Sequence, residues 1–132
     1  GTRVVRALSW TLPPVATPDE TETPGALIDS YHRTALRSAM SKYVGVLRTP
    51  EGLNSASRIL NTLSSNRSAS VVPTRKAFEA TNMLTIAMAV VEAAKTRTES
   101  RGCHRRTDFD APSDSWNHRL SCRIVDGQIE VK

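Results

Sequence analysis

Aromatic residues are scarce in this sequence: Phe, Trp and Tyr together make up 5% of its 132 residues. Any core must therefore be assembled from Ala, Leu, Val, Ile and Met. Bases would also find no stacking platform of the kind that single-strand binders use. Cysteine is equally short. Cys103 and Cys122 are too few for a disulfide framework, and two reduced thiols are expected. The longest nearly uncharged apolar stretch, residues 83–91, is too short to cross a bilayer. No basic start followed by an apolar run and a small-residue cleavage site marks a signal peptide. A Gly-x-Gly-x-x-Gly turn and a phosphate loop are both missing. The expectations that follow are a cytoplasmic chain, no membrane and no nucleic acid. The first residue is Gly rather than Met, as expected of a processed or excised piece whose natural form starts further upstream.

Hydrophobic residues at 39% suffice for one domain with a modest core. The formal net charge of +5 is carried mostly by arginines spread along the chain, not gathered into a stripe. Residues 1–25 hold four of the seven prolines and an acidic, threonine-rich run, and read as an irregular approach segment or linker. Within it, residues 3–8 read as a short strand or as the end of an element whose partner is missing. Residues 26–132 read as the domain proper.

Three helices are predicted there. In the first, residues 26–47, Ile28, Tyr31, Ala35, Ala39, Tyr43 and Leu47 share a face that Leu36 and Met40 widen. Thr49-Pro50-Glu51 starts the second: a capping hydroxyl, a proline suited to the first turn, and an anion at the positive end of the dipole. Leu53, Ala56, Leu60 and Leu63 form its apolar face, and Ser64-Ser65-Asn66 ends it. The third, residues 74–98, presents Phe78, Leu84, Ala87, Met88, Val91 and Ala94, with Ile86 and Val90 beside them, and Gly102 is expected to close it. Near the C-terminus, Asp126-Gly127 between two alternating segments predicts a type I′ hairpin. Its register sets Ile124 opposite Ile129, Cys122 opposite Val131 and Arg123 opposite Glu130. The expected fold is mainly α: a three-helix bundle of spectrin-repeat type with a small C-terminal β-hairpin docked on it.

Charged and imidazole side chains concentrate after the third helix. Glu99, Arg101, His104, Arg105 and Asp108, followed by Trp116 and His118, are expected to form a structural network at a helix end, because arginine and carboxylate two residues apart readily anchor a loop. Cys103, His104, His118 and Cys122 do not have zinc spacing, and Ser113 or Ser115 with His118 and Asp114 lacks a nucleophile elbow. No catalytic, cofactor-binding or metal-binding residue is assigned.

The segment Glu99-Ser100-Arg101-Gly102-Cys103-His104-Arg105-Arg106-Thr107-Asp108-Phe109 resembles the Glu-Ser-Arg-Gly-x-His-x-Arg-x-Asp-Phe/Tyr signature of a flavoenzyme family. That family comprises L-aspartate oxidase and the flavoprotein subunits of succinate dehydrogenase and fumarate reductase. Met40-Ser41-Lys42-Tyr43-Val44-Gly45-Val46-Leu47-Arg48-Thr49 is similar to a second segment, that of the aspartate-oxidising branch. The resemblance covers about residues 27–120 and corresponds to the family's C-terminal helical domain. Cys103 stands where the family more often has a small residue, and the acidic run before Trp116 is weaker than in the respiratory subunits. The resemblance implies a parent enzyme that binds FAD and oxidises L-aspartate to iminoaspartate for quinolinate and NAD synthesis. It also implies that FAD and substrate are gripped by upstream FAD-binding and capping domains, whose motifs are absent here. The chain itself is then expected to hold no cofactor, to be inactive alone, and to buttress those two domains. Its exposed docking face would favour a weak homodimer. The alternatives are the equivalent domain of a respiratory flavoprotein, or a free-standing basic helical module.

Overall fold

The computed structural model describes residues 25–132; the expected linker and its 3–8 strand lie outside the described residues. Three helices follow one another: α1 (His32–Tyr43), α2 (Pro50–Ser65) and α3 (Arg75–Thr96). Between α1 and α2 runs a two-residue strand, β1 (Leu47–Arg48), which pairs in parallel with β2 (Arg105–Arg106) beyond α3. A short 3₁₀ turn (Asp114–Trp116) leads to the antiparallel hairpin of β3 (Cys122–Val125) and β4 (Gln128–Val131). The described residues are thus mainly helical with short strands.

Capping explains two of the helix starts. Thr49 Oγ1 accepts from Gly52 N at 2.9 Å with Pro50 in the first turn, and Thr74 Oγ1 accepts from Ala77 N at 3.2 Å. The first helix is shorter than predicted. Asp29 Oδ1 takes the backbone N–H of Tyr31 at 3.1 Å, a turn that delays its start, and β pairing pulls residues 47–48 out of its end. Its buried seam is rotated as well: Leu36 and Ala39 are buried, with Met40 and Tyr43 packed beside them, whereas Tyr31 and Leu47 are about 70% exposed.

The core runs through Ile28, Leu36, Leu53, Ala56, Leu60, Leu84, Ala87 and Val91, and each helix packs on the other two. Ile28 enters because its N–H donates to the buried Thr81 Oγ1 at 3.0 Å, while Leu27 bridges to Ser68. By length and composition alone, α3 is apolar enough to cross a membrane, further than the 83–91 run suggested. Its Ala80, Leu84, Ala87, Val91 and Ala94 stripe is spent on the bundle core. Phe78, Ile86 and Val90, expected to extend that stripe, lie mostly outside it and are 43%, 65% and 40% exposed. Ile86 and Val90 instead border an open groove beside Leu36, Arg37 and Met40 of α1.

The hairpin has the predicted register at every pair, with Asp126 and Gly127 both at positive φ as a type I′ turn demands. Arg123 and Glu130 form the cross-strand ion pair at 3.4 Å. Both strands lie on α3, more through β4, and Ile124 stays half outside.

Candidate functional site

The site lies where α3 ends. The helix stops at Thr96, not at Gly102, because Arg97 is already extended. Gly102 takes a positive φ of 56° in a tight turn that joins Arg101 and His104 through reciprocal backbone bonds. In the extended stretch after α3, alternate residues share one side, so Arg97, Glu99 and Arg101 fall together.

Glu99 is fully buried. Its Oε1 accepts from Arg97 Nη1 and, at 2.9 Å, from Arg101 Nε; its Oε2 accepts from the Ser113 N–H at 2.9 Å. The Arg101 hydrogen bond, helped by Ser113 and Arg97, outweighs burial and lowers the carboxyl to about 2. Glu99 therefore stays ionised across the neutral range and cannot trade protons there. Arg97 also donates to the carbonyls of Trp116 (3.0 Å) and His118 (2.6 Å), and Arg101 Nη2 to that of Ser113 (3.2 Å). The Trp116 ring stacks beside His118 and under Arg97, and its Nε1 donates to Thr98 Oγ1. These bonds strap residues 113–118 to the end of the helix.

A second cluster faces the helix carbonyls. Arg106, 7% exposed, sends Nη1 to the carbonyls of Ala94 (2.9 Å) and Lys95 (3.2 Å). It grips Asp108 with Nε and Nη2 at 2.8 and 2.6 Å, a two-pronged pair that holds the Asp108 carboxyl below its ordinary range. A cation on the orphan carbonyls of a C-terminus also answers the helix dipole. Ser100, buried, accepts the Arg106 N–H at 2.8 Å and ties the same turn to Phe109.

His104 joins this site to β1. Arg48 Nη1 donates to its Nδ1 at 2.6 Å, and its Nε2 lies 3.1 Å from the Arg97 carbonyl. Arginine has only donors, so Nδ1 is the acceptor and Nε2 carries the proton. Burial, with the arginines around it, pushes the imidazole below its usual value, so a neutral ring suits the place.

Of the predicted network, Glu99, Arg101, His104, Asp108 and Trp116 are brought together by side-chain bonds, and His118 by its carbonyl and ring stacking. Arg105 is not: its N–H pairs with Val46 O, and its exposed side chain makes no ion pair among the described residues. The buried arginine is its neighbour Arg106, because successive strand residues point to opposite faces. Arg48, Arg97, Ser100 and Ser113 complete the site beyond the predicted set. Arg97 was signalled by standing two residues before Glu99, as Arg101 stands two after it.

Chemically, most donors of Arg97 and Arg106 are spent on carbonyls and carboxylates. Ser113 and Ser115 bond each other at 2.8 Å, with no histidine activating either. Cys103 and Cys122 are exposed free thiols, and the described residues gather no cluster of metal ligands. Nor do they fit a dinucleotide such as FAD: parallel pairing is confined to two residues, and no glycine-rich turn opens a helix after a strand.

β1 lies in the 40–49 segment and β2 in the 99–109 segment, so the two resembling segments form one paired structure. A family profile described as "Fumarate reductase flavoprotein C-term" matches residues 33–131. The chain belongs to that family. It is the C-terminal domain of a flavoprotein of the succinate dehydrogenase and fumarate reductase class. It is 36% identical over 109 residues to L-aspartate oxidase of Rhodospirillum rubrum, covering 83% of this chain and 36% of that protein. With L-aspartate oxidase of Streptomyces coelicolor it shares 30% over 120 residues, 84% of this chain and 21% of that one. The solved structure titled "Mycobacterium smegmatis Sdh1 in complex with UQ1" superposes with a TM-score of 0.64 at 26% identity, covering 99% of this chain and 23% of that chain. The chain thus spans between about a fifth and about a third of the relatives named here.

Proposed function

We propose that this chain is the C-terminal helical domain of an L-aspartate oxidase and that its task is to buttress the FAD-binding and capping domains of the same enzyme. The carrying observation is the junction of the two resembling segments: Leu47–Arg48 against Arg105–Arg106, with Arg48 on His104. The L-aspartate oxidase relatives cover most of the chain, which supports the aspartate branch. A three-helix bundle of spectrin-repeat type would suit the task as a stiff strut; contacts among all three helices support that reading. FAD would be held by the rest of the enzyme, which would oxidise L-aspartate to iminoaspartate for NAD biosynthesis in the cytoplasm. Nucleic acid and membrane have no place in this reading.

A second reading, a respiratory flavoprotein subunit, draws on the 44% identity over 55 residues to the Mycobacterium tuberculosis fumarate reductase flavoprotein subunit. The two separate on the full-length gene product, assayed for flavin absorbance and for turnover of L-aspartate against succinate. Aspartate-dependent peroxide release supports the first reading. Succinate oxidation without aspartate turnover overturns it.

A further inference from the structure

We propose that the open cleft between the end of α3 and residues 116–119 is a binding site for a small oxyanion, carboxylate or phosphate. This is independent of the role proposed above. The cleft has a volume of about 450 Å³ and is lined by Arg97, Arg101, His104, Asn117, His118 and Arg119 around Trp116. That is room for a small metabolite.

Its walls are built rather than draped. Arg97 spends its guanidinium inward, on Glu99 and on the carbonyls of Trp116 and His118, which fixes the backbone that carries Asn117, His118 and Arg119. Arg101 gives Nε to Glu99 and Nη2 to Ser113, leaving Nη1 without an acceptor among the described residues, on a side chain 44% exposed. Arg119 is exposed and makes no ion pair among the described residues. Glu99 is outnumbered by Arg97 and Arg101, and Arg119 adds a third cation. Asp114, which acts on Arg101, offsets one of them and leaves a positive surplus. Guanidinium forks match the two oxygens of carboxylate and phosphate. The Trp116 ring has Arg97 and His118 packed against it. The cationic surplus of the lining favours an anion.

The test is a titration of the 15N-labelled chain with sodium phosphate and, separately, sodium malonate, at ionic strength held constant with sodium chloride. Saturating shifts at the backbone amides of Asn117, His118 and Arg119 are expected. Saturation by phosphate alone marks a phosphoryl site, by malonate alone a carboxylate site, and by both a general oxyanion site. Arg119→Ala should weaken binding at least about tenfold, the loss of a charge-assisted donor. Asn117→Asp, which sets a carboxylate at the same mouth, should abolish it. Shifts that never saturate or that chloride reproduces, or unchanged affinity in both variants, would overturn the proposal.

Discussion

Arg106→Met keeps most of the side-chain stem and removes the guanidinium. In the wild-type protein that group satisfies the Ala94 and Lys95 carbonyls at the end of α3 and closes on both oxygens of Asp108. A buried acceptor stripped of its donor costs about 1–3 kcal/mol. Water can recover part of this at Asp108, whose side chain is 30% exposed, but little at the carbonyls beneath a residue that is 7% exposed. The net loss should be about 3–4 kcal/mol, the lower end for breaking a buried, hydrogen-bonded ion pair. Unfolding entropy of about 2.1 cal/mol/K per residue converts this, for the described residues 25–132, to a fall in Tm of about 13–18 °C. Thermal unfolding followed by circular dichroism reads it directly. Arg105→Met is the control, one residue away with an exposed side chain, and should shift Tm by less than about 2 °C as surface substitutions do. Equal shifts in the two variants would refute the assignment of the clamp to Arg106.

Three further outcomes are expected. The His104 imidazole is held below its ordinary value in the folded chain, so the unfolded chain takes up the proton first as pH falls. The stability this group confers is full above about pH 6.5 and declines below it, down to the lowered folded value. A His104→Gln variant whose Tm falls as steeply as wild type between about pH 6.5 and 5 would count against the neutral ring. Thr74→Ala removes the cap on Ala77 N and should cost about 1 kcal/mol, measurable in urea as a lower midpoint at unchanged m. Self-association through the groove lined by Leu36, Met40, Met83 and Ile86 should appear in sedimentation at high concentration and vanish in Ile86→Glu. A wild-type chain that stays monomeric at millimolar concentration would remove that face as a contact.

Local chemistry was the legible part of the sequence. Thr49-Pro50 and Asp126-Gly127 act within four residues of themselves, so their signals survive whatever the rest of the chain does. Burial on α3 was less legible. Val91 and Val90 carry identical side chains, yet one is fully buried and the other 40% exposed. Only the angle at which α1 and α2 approach decides between them, and apolar periodicity in a nearly all-apolar helix does not report that angle. The same limit explains Arg105 and Arg106. Charge density located the network, but the choice between adjacent arginines rests on the parity of a strand whose partner lies far back in the chain. Arg48 was still harder to read, since nothing within its own segment signals an imidazole 56 positions away.

That distance bears on why the two resembling segments belong together. Closing a loop of this length costs roughly 3–4 kcal/mol in chain entropy before any contact repays it. The ladder it forms is short: Val46 and Arg48 carbonyls accept from Arg105 and Thr107, and net contributions run to about 1 kcal/mol per bond. Two such bonds alone fall short of that cost by about 1–2 kcal/mol. What tips it is the side-chain set on either side of β2: His104 between Arg48 and the Arg97 carbonyl, and Arg106 on the end of α3. Both draw on the same helix terminus, so the ladder, the helix end and the strapped tail should loosen together rather than one by one. A change in either segment alone removes a partner that the other has no substitute for. The pairing makes the two segments one unit, whose ladder and side-chain bonds close on the end of α3.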